Sequence, residues 1–233
     1  MSPPPGQALA ADPTAAPLRV VAIIPIGGLE GAKSRLGGTL DAEERRDLVD
    51  DLFHRTVRAA LDTPGIAETL VISPDREALE QASFLGARTL RQRSQGLNQG
   101  LAEARDDAIA GGAHAILVLP IDMPLISPEA IAQLLAPLSV VGERPLVVLA
   151  PDRHLRGTNG LLLAPPDAIR FAFGGDSRSA HASCAAEIGA RYVELDGPLA
   201  LDIDTPDDLL LVESLTYDAG RAGASAAAGS HAG

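Results

Sequence analysis

Cysteine occurs once in the 233 residues and tryptophan not at all. A lone cysteine excludes an intramolecular disulfide and the paired-cysteine sites of zinc ribbons and dithiol redox centres. Two tyrosines and four phenylalanines bring the aromatic share to 3%, too little for a platform on which single-stranded nucleic acid stacks. Basic residues are outnumbered, with 19 Lys and Arg against 31 Asp and Glu. The resulting formal charge of −12 has the wrong sign for gripping a phosphate backbone or an anionic membrane. No apolar run approaches the ~20 residues that span a bilayer. The opening MSPPPGQALAADPTAAP lacks both the basic and the continuous apolar region of a secretory signal. These absences predict a soluble cytoplasmic protein with no nucleic-acid and no membrane partner. They leave the oligomeric state open, a homo-oligomer included.

What is present is aliphatic: 46% of the chain is hydrophobic, and most of that is Ala, Val, Ile and Leu, the material of a helix-covered parallel sheet. VVAIIPI (20–26), TLVIS (69–73), AILVLP (115–120) and LVVLAP (146–151) are short continuous apolar runs that predict strands buried on both faces. Helices are expected between most of them: one from a capping box at Asp41 and Glu44 to about Leu61, then 75–83, 98–110, 127–136, 177–189 and 206–215. This alternation implies an α/β fold with right-handed crossovers. GLLLAP (160–165) follows the fourth run too closely for a helical crossover and reads as an antiparallel excursion. Residues 1–17 and the Ala/Gly-rich 217–233 have the composition of a disordered leader and tail, leaving 18–216 as a single domain.

In a sheet of this kind the ligand crevice lies beyond the carboxyl ends of the strands, and three acidic or glycine-rich segments fall there. Gly27-Gly28-Leu29-Glu30-Gly31-Ala32-Lys33-Ser34-Arg35 follows the first strand. It is composed like a phosphate loop, but Ala32 stands where the GxxxxGK[ST] pattern needs its second glycine. A P-loop NTPase, with Asp122 as its second acid, therefore competes with a turn carrying solvated Lys33 and Arg35. Asp122 ends the third run between Pro120 and Pro124; it either accepts hydrogen bonds from its turn, with Ser127 capping the next helix, or holds a cation. If 201–204 is extended, Asp202 and Asp204 share a side, roughly 6.6 Å apart, a span that bridged divalent ions can fill. Thr205 as N-cap and Pro206 at N1 would then start the last helix.

Other segments could hold substrate. Asn98 either caps its helix or offers its amide to a nucleobase edge. Arg156–Asn159 and Phe173–Ser177 lie in glycine-rich turns, and a helix starting near Ser177 would present free amides to a carboxylate or phosphate. The five histidines show no ligand spacing; His181 reads as an exposed polar residue and Cys184 as a small packing residue.

Taken in order, IPIGGLEGAKSRL, SQGLNQGL, LPIDMPLI, PDRHLRGTNGLL, FGGDS and LDIDTPDDL resemble the 2-phospholactate guanylyltransferase family of CofC/FbiD type, which acts in coenzyme F-420 biosynthesis. The likeness spans about residues 19–212. It implies a Rossmann-like, three-layer, GT-A-like nucleotidyltransferase fold with a mostly parallel sheet. It also implies GTP and Mg2+, with a small phosphorylated carboxylic acid as acceptor: 2-phospholactate, phosphoenolpyruvate or 3-phosphoglycerate. By matching motifs, Asp122, Asp202 and Asp204 would hold metal, while Thr158, Gly174 and Ser177 would contact the acceptor. Gly28, Lys33 and Asn98 would bind the nucleotide, with Lys33 and Arg35 acting on its phosphates. Relatives commonly carry a lysine where Gly27 stands. A nucleotide-binding protein without catalysis explains the loop equally well, but not three acids beside an anion site.

Overall fold

The computed structural model describes residues 18–27, 36, 38–140, 142, 144–212 and 214–215. The leader and tail expected at 1–17 and 217–233, and the loop with Gly28, Lys33 and Arg35, lie outside the described residues. Seven strands form one sheet: β1 (Val20–Pro25), β2 (Ile66–Ser73), β3 (Arg88–Arg91), β4 (Ala115–Val118), β5 (Leu146–Pro151), β6 (Thr158–Ala164) and β7 (Arg191–Glu194). Their spatial order is β3-β2-β1-β4-β6-β5-β7. Only β6 runs against its neighbours, pairing antiparallel with β4 and β5, so the short excursion expected at 160–165 is observed. β3 and β7 have no counterpart in the sequence reading, because RTLR and RYVE are four-residue edge strands without a buried apolar run.

Among the described residues the sheet is covered by α1 (Ala42–Asp62), α2 (Arg76–Leu85), α3 (Leu97–Ala110), α4 (Pro128–Leu135) and α5 (Ser177–Glu187), with a further helical segment at 206–212. The pleat divides the core in two. Val20, Ala22 and Ile24 of β1 pack with α1, α2 and α4, while Val21 and Ile23 pack with α3 and, further along, α5. The three-layer architecture is thus written in the alternation of β1 itself. Caps fix several helix starts as expected. Asp41 Oδ1 accepts from the Glu43 and Glu44 amides at 2.9 Å and Glu44 Oε2 accepts from the Asp41 amide at 2.8 Å. Ser127 accepts from the Ala130 amide at 3.2 Å ahead of Pro128.

One expectation about caps is corrected and another holds in position. α3 begins one residue early, with Gly96 in the capping position at φ 90°, and Asn98 does not cap it. Residues 206–212 are helical, as expected. They start at Pro206 directly after Thr205, and the Thr205 hydroxyl donates to the buried Asp208 carboxylate at 2.8 Å, since a buried acid demands donors.

Candidate active site

β4 runs out at Val118, and the chain continues through Leu119 and Met123, both fully buried, which leaves half-buried Asp122 facing a cavity at the carboxyl edge of the sheet. The second acidic segment lies alongside. Leu201 and Ile203 are buried while Asp202 and Asp204 turn to the other side, the period of two that an extended chain imposes. The Ile203 amide donates to the Asp122 carbonyl at 2.9 Å and fastens one segment to the other. One carboxylate oxygen from each of Asp122, Asp202 and Asp204 then lies within 4.8 Å of the others. Burial pushes the Asp202 carboxyl up to about 6, and the neighbouring charges of Asp122 and Asp204 add to the effect. Three hard oxygen donors this close together form a donor set that suits a divalent cation.

Residues of the same motifs that were given no role in the sequence reading hold this geometry. The Asp208 carboxylate is 3% exposed and accepts from the amides of Asp204 and Thr205 at 3.0 and 2.7 Å, besides the Thr205 hydroxyl. Arg153 forms an ion pair with it. Burial pushes this carboxyl up, but the hydrogen bonds from Thr205 and Asp204 outweigh it and hold the group below the usual carboxylate range. Asn159, also buried, donates to the Leu199 and Ala200 carbonyls at 2.8 and 3.3 Å and so positions the approach to Leu201. Arg153, Asn159 and Asp208 lie within the motifs PDRHLRGTNGLL and LDIDTPDDL, but nothing local in the sequence marks them as supports of the site.

The same cavity, about 640 Å³ in volume, is lined on its other side by Thr158, Gly174 and Ser177. Thr158 starts β6 just where the pairing with β5 shifts between Ala150 and Pro151, which turns the end of the strand towards the acids. Gly174 takes φ 150°, which side-chain-bearing residues rarely adopt. Ser177 opens α5, but the first two of the expected free amides are engaged. The Ser177 amide donates to Gly174 O at 3.2 Å and the Arg178 amide to Arg156 O at 3.0 Å, because the two turns fold onto the helix start.

Asn98 reaches this side from α3. Its Nδ2 donates to Phe173 O at 3.0 Å and its Oδ1 accepts from the Phe173 amide at 2.8 Å, a two-point clasp on the loop before Gly174. His181, expected at the surface, is fully buried between that loop and Thr158. Cys184 is buried in the core, as a packing residue should be.

The pattern of the guanylyl transferase CofC-like family matches residues 20–218. The phosphoenolpyruvate guanylyltransferase of Rubrobacter xylanophilus is 44% identical over 198 residues, 84% of this chain and 95% of that protein. The 3-phospho-D-glycerate guanylyltransferase of Colwellia psychrerythraea is 32% identical over 201 residues, 85% of this chain and 93% of that protein. A crystal structure from Desulfovibrio desulfuricans G20, named as that of a nucleotide-diphospho-sugar transferase, shares the fold at 16% identity and a TM-score of 0.67, over 84% of this chain and 86% of its own. With relatives aligned along nearly their whole length, and a family pattern that runs from β1 past the acidic turn, the chain belongs to the guanylyl transferase CofC-like family.

Proposed function

We propose that this protein transfers a guanylyl group from GTP to the phosphate of a small phosphorylated carboxylic acid and releases pyrophosphate. The observation that carries the reading is the meeting of the Asp122, Asp202 and Asp204 carboxylates with Thr158, Gly174 and Ser177 across one cavity. An oxygen of the acceptor phosphate attacks the α-phosphorus of GTP, and the bond from that phosphorus to the bridging oxygen breaks as pyrophosphate leaves. The nucleophile is already an anion, so the chain must position two anions and offset their charge; a general base is not needed. Mg2+ held by Asp122, Asp202 and Asp204 would supply that neutralising charge. Thr158, Gly174 and Ser177 bind the acceptor, and Gly28, Lys33 and Arg35 serve the nucleotide and its departing phosphates. Asn98 acts on the site through Phe173.

Phosphoenolpyruvate leads the acceptors, since the R. xylanophilus relative at 44% identity is named for it. 3-Phosphoglycerate and 2-phospholactate are the alternatives, and the product would feed coenzyme F-420 biosynthesis. GTP as donor and a chain with one cysteine fit a cytoplasmic location. Pyrophosphate release with GTP, Mg2+ and each acid in turn, with product masses, tests the reading. The expected result is acid-dependent pyrophosphate and a guanylylated acid. Release of inorganic phosphate from GTP alone would favour the P-loop reading instead. Ser177→Ala should raise the acceptor KM roughly tenfold or more, the loss expected for a hydrogen bond to a charged group, and leave that for GTP nearly unchanged.

A further inference from the structure

His181 is fully buried, in a protein whose core is mostly aliphatic, and every polar atom of its ring is engaged. Its Nε2 lies 3.0 Å from the Ala172 amide nitrogen. A backbone N–H can only donate, so Nε2 must be the bare, accepting nitrogen. In a neutral imidazole the proton then sits on Nδ1, and Nδ1 lies 3.1 Å from Thr158 Oγ1. Burial pushes the histidine pKa down to about 4, which keeps the ring neutral. The Thr158 hydroxyl thus accepts from Nδ1–H, and its own hydrogen is turned away from the ring. Among the described residues no other group hydrogen-bonds that hydroxyl, and Thr158 lines the cavity.

We propose that His181 is a positioning residue that fixes the Thr158 hydroxyl as a hydrogen-bond donor to an anionic oxygen of the acceptor. Without the imidazole the hydroxyl could rotate and satisfy itself on a nearby carbonyl; with it, only the donating orientation remains. The same ring ties the rest of the acceptor side together. It stands one turn after Ser177 on α5, holds the Ala172 amide, and meets the Phe173 ring edge-on at 5.0 Å. Asn98 clasps Phe173 from the opposite side. A single neutral histidine therefore couples β6, the loop before Gly174 and the start of α5. This assignment rests on the reading of Thr158 as an acceptor contact.

Two substitutions separate the two nitrogens. In His181→Gln the side-chain oxygen can still accept from the Ala172 amide, but nothing donates to Thr158. In His181→Asn the amide nitrogen reaches the Nδ1 position and can still donate to Thr158. With GTP and phosphoenolpyruvate as probes, His181→Gln should raise the phosphoenolpyruvate KM roughly five- to tenfold, a part of one hydrogen bond to a charged group, with the GTP KM unmoved. His181→Asn should restore most of that loss. In a Thr158→Val background His181→Gln should add almost nothing, because the hydroxyl it orients is gone. Additive effects of the two substitutions, or equal changes in both KM values, would overturn the assignment. Nitrogen-15 shifts of His181 in the substrate-free wild type decide independently of folding in the variants: Nδ1–H with bare Nε2 supports the assignment and the opposite tautomer sinks it. A wild type that releases no pyrophosphate with either phosphoenolpyruvate or 3-phosphoglycerate would instead remove the proposed function, a failure visible before any variant is made.

Discussion

Asp202 is a residue at which stability and function pull apart. Half-buried between two other carboxylates, it is held above its normal pKa by burial first and by Asp122 and Asp204 second. In metal-free buffer, Asp202→Asn removes one charge from that crowd and should stabilise the fold by about 1 kcal/mol, a rise of about 2–4 °C in Tm for a chain of this size. The same change should abolish most turnover and shrink the thermal shift that Mg2+ gives the wild type, since a cation bound only to the folded state stabilises it by mass action. Calorimetry with and without Mg2+ checks both halves; a variant with wild-type turnover would remove Asp202 from the metal site. His181 predicts a pH effect of opposite origin. The unfolded histidine takes up a proton near 6.5, whereas the buried one resists until about 4. Its contribution is therefore complete above 6.5 and is lost as pH falls through 6.5 towards 4, at most about 3 kcal/mol. Urea unfolding at pH 7.5, 5.5 and 4.5 should show a shallower acid loss in His181→Gln than in the wild type, and parallel curves would contradict the buried neutral ring.

At the scale of elements, two connections carry the site, and neither is a regular helix or strand. The turn from Asp202 to Asp208 is held by four donors or charges converging on one buried carboxylate. Asp208→Ala should cost about 2–4 kcal/mol in urea unfolding, because Arg153 and two amides lose their partner in a partly desolvated place. It should also raise the Mg2+ concentration for half-maximal activity, whereas Asp208→Asn, which keeps an accepting oxygen, should lie between. The loop before Gly174 depends likewise on the Asn98 clasp. Asn98→Ala should raise the acceptor KM severalfold and spare that for GTP; the reverse pattern would restore Asn98 to the nucleobase. These supports explain what the sequence concealed. β1 and β4 announce themselves because strands covered on both faces must be continuously apolar, and α1 and α4 because their caps are local. The acids were legible from spacing and strand ends. The contacts made by Asn98, Asn159 and His181 were not, because their partners lie 75, 40 and 23 residues away in the chain. Nothing local distinguishes a buried histidine from an exposed one.

For the whole molecule, the three-layer sheet brings residues from position 98 to 208 to one edge, and there it assembles more carboxylates than cations among the described lining residues. Both proposed substrates are anions, and the chain carries −12. The long-range field therefore opposes substrate approach, even though in the proposed reaction metal, Lys33 and Arg35 would offset the bound charge locally. The two effects differ in range. Contacts within the cavity are short and weakly screened, whereas the overall field acts across the Debye length, about 30 Å at 0.01 M and about 8 Å at 0.15 M salt. Raising ionic strength at constant free Mg2+ should consequently speed GTP association, the reverse of what a protein with a basic approach surface shows. Stopped-flow binding from 10 to 150 mM potassium chloride, a range of about 30 to about 8 Å in screening length, reads this directly. An association rate that falls with salt would mean that the cavity mouth presents a positive local field strong enough to outrun the charge of the whole chain.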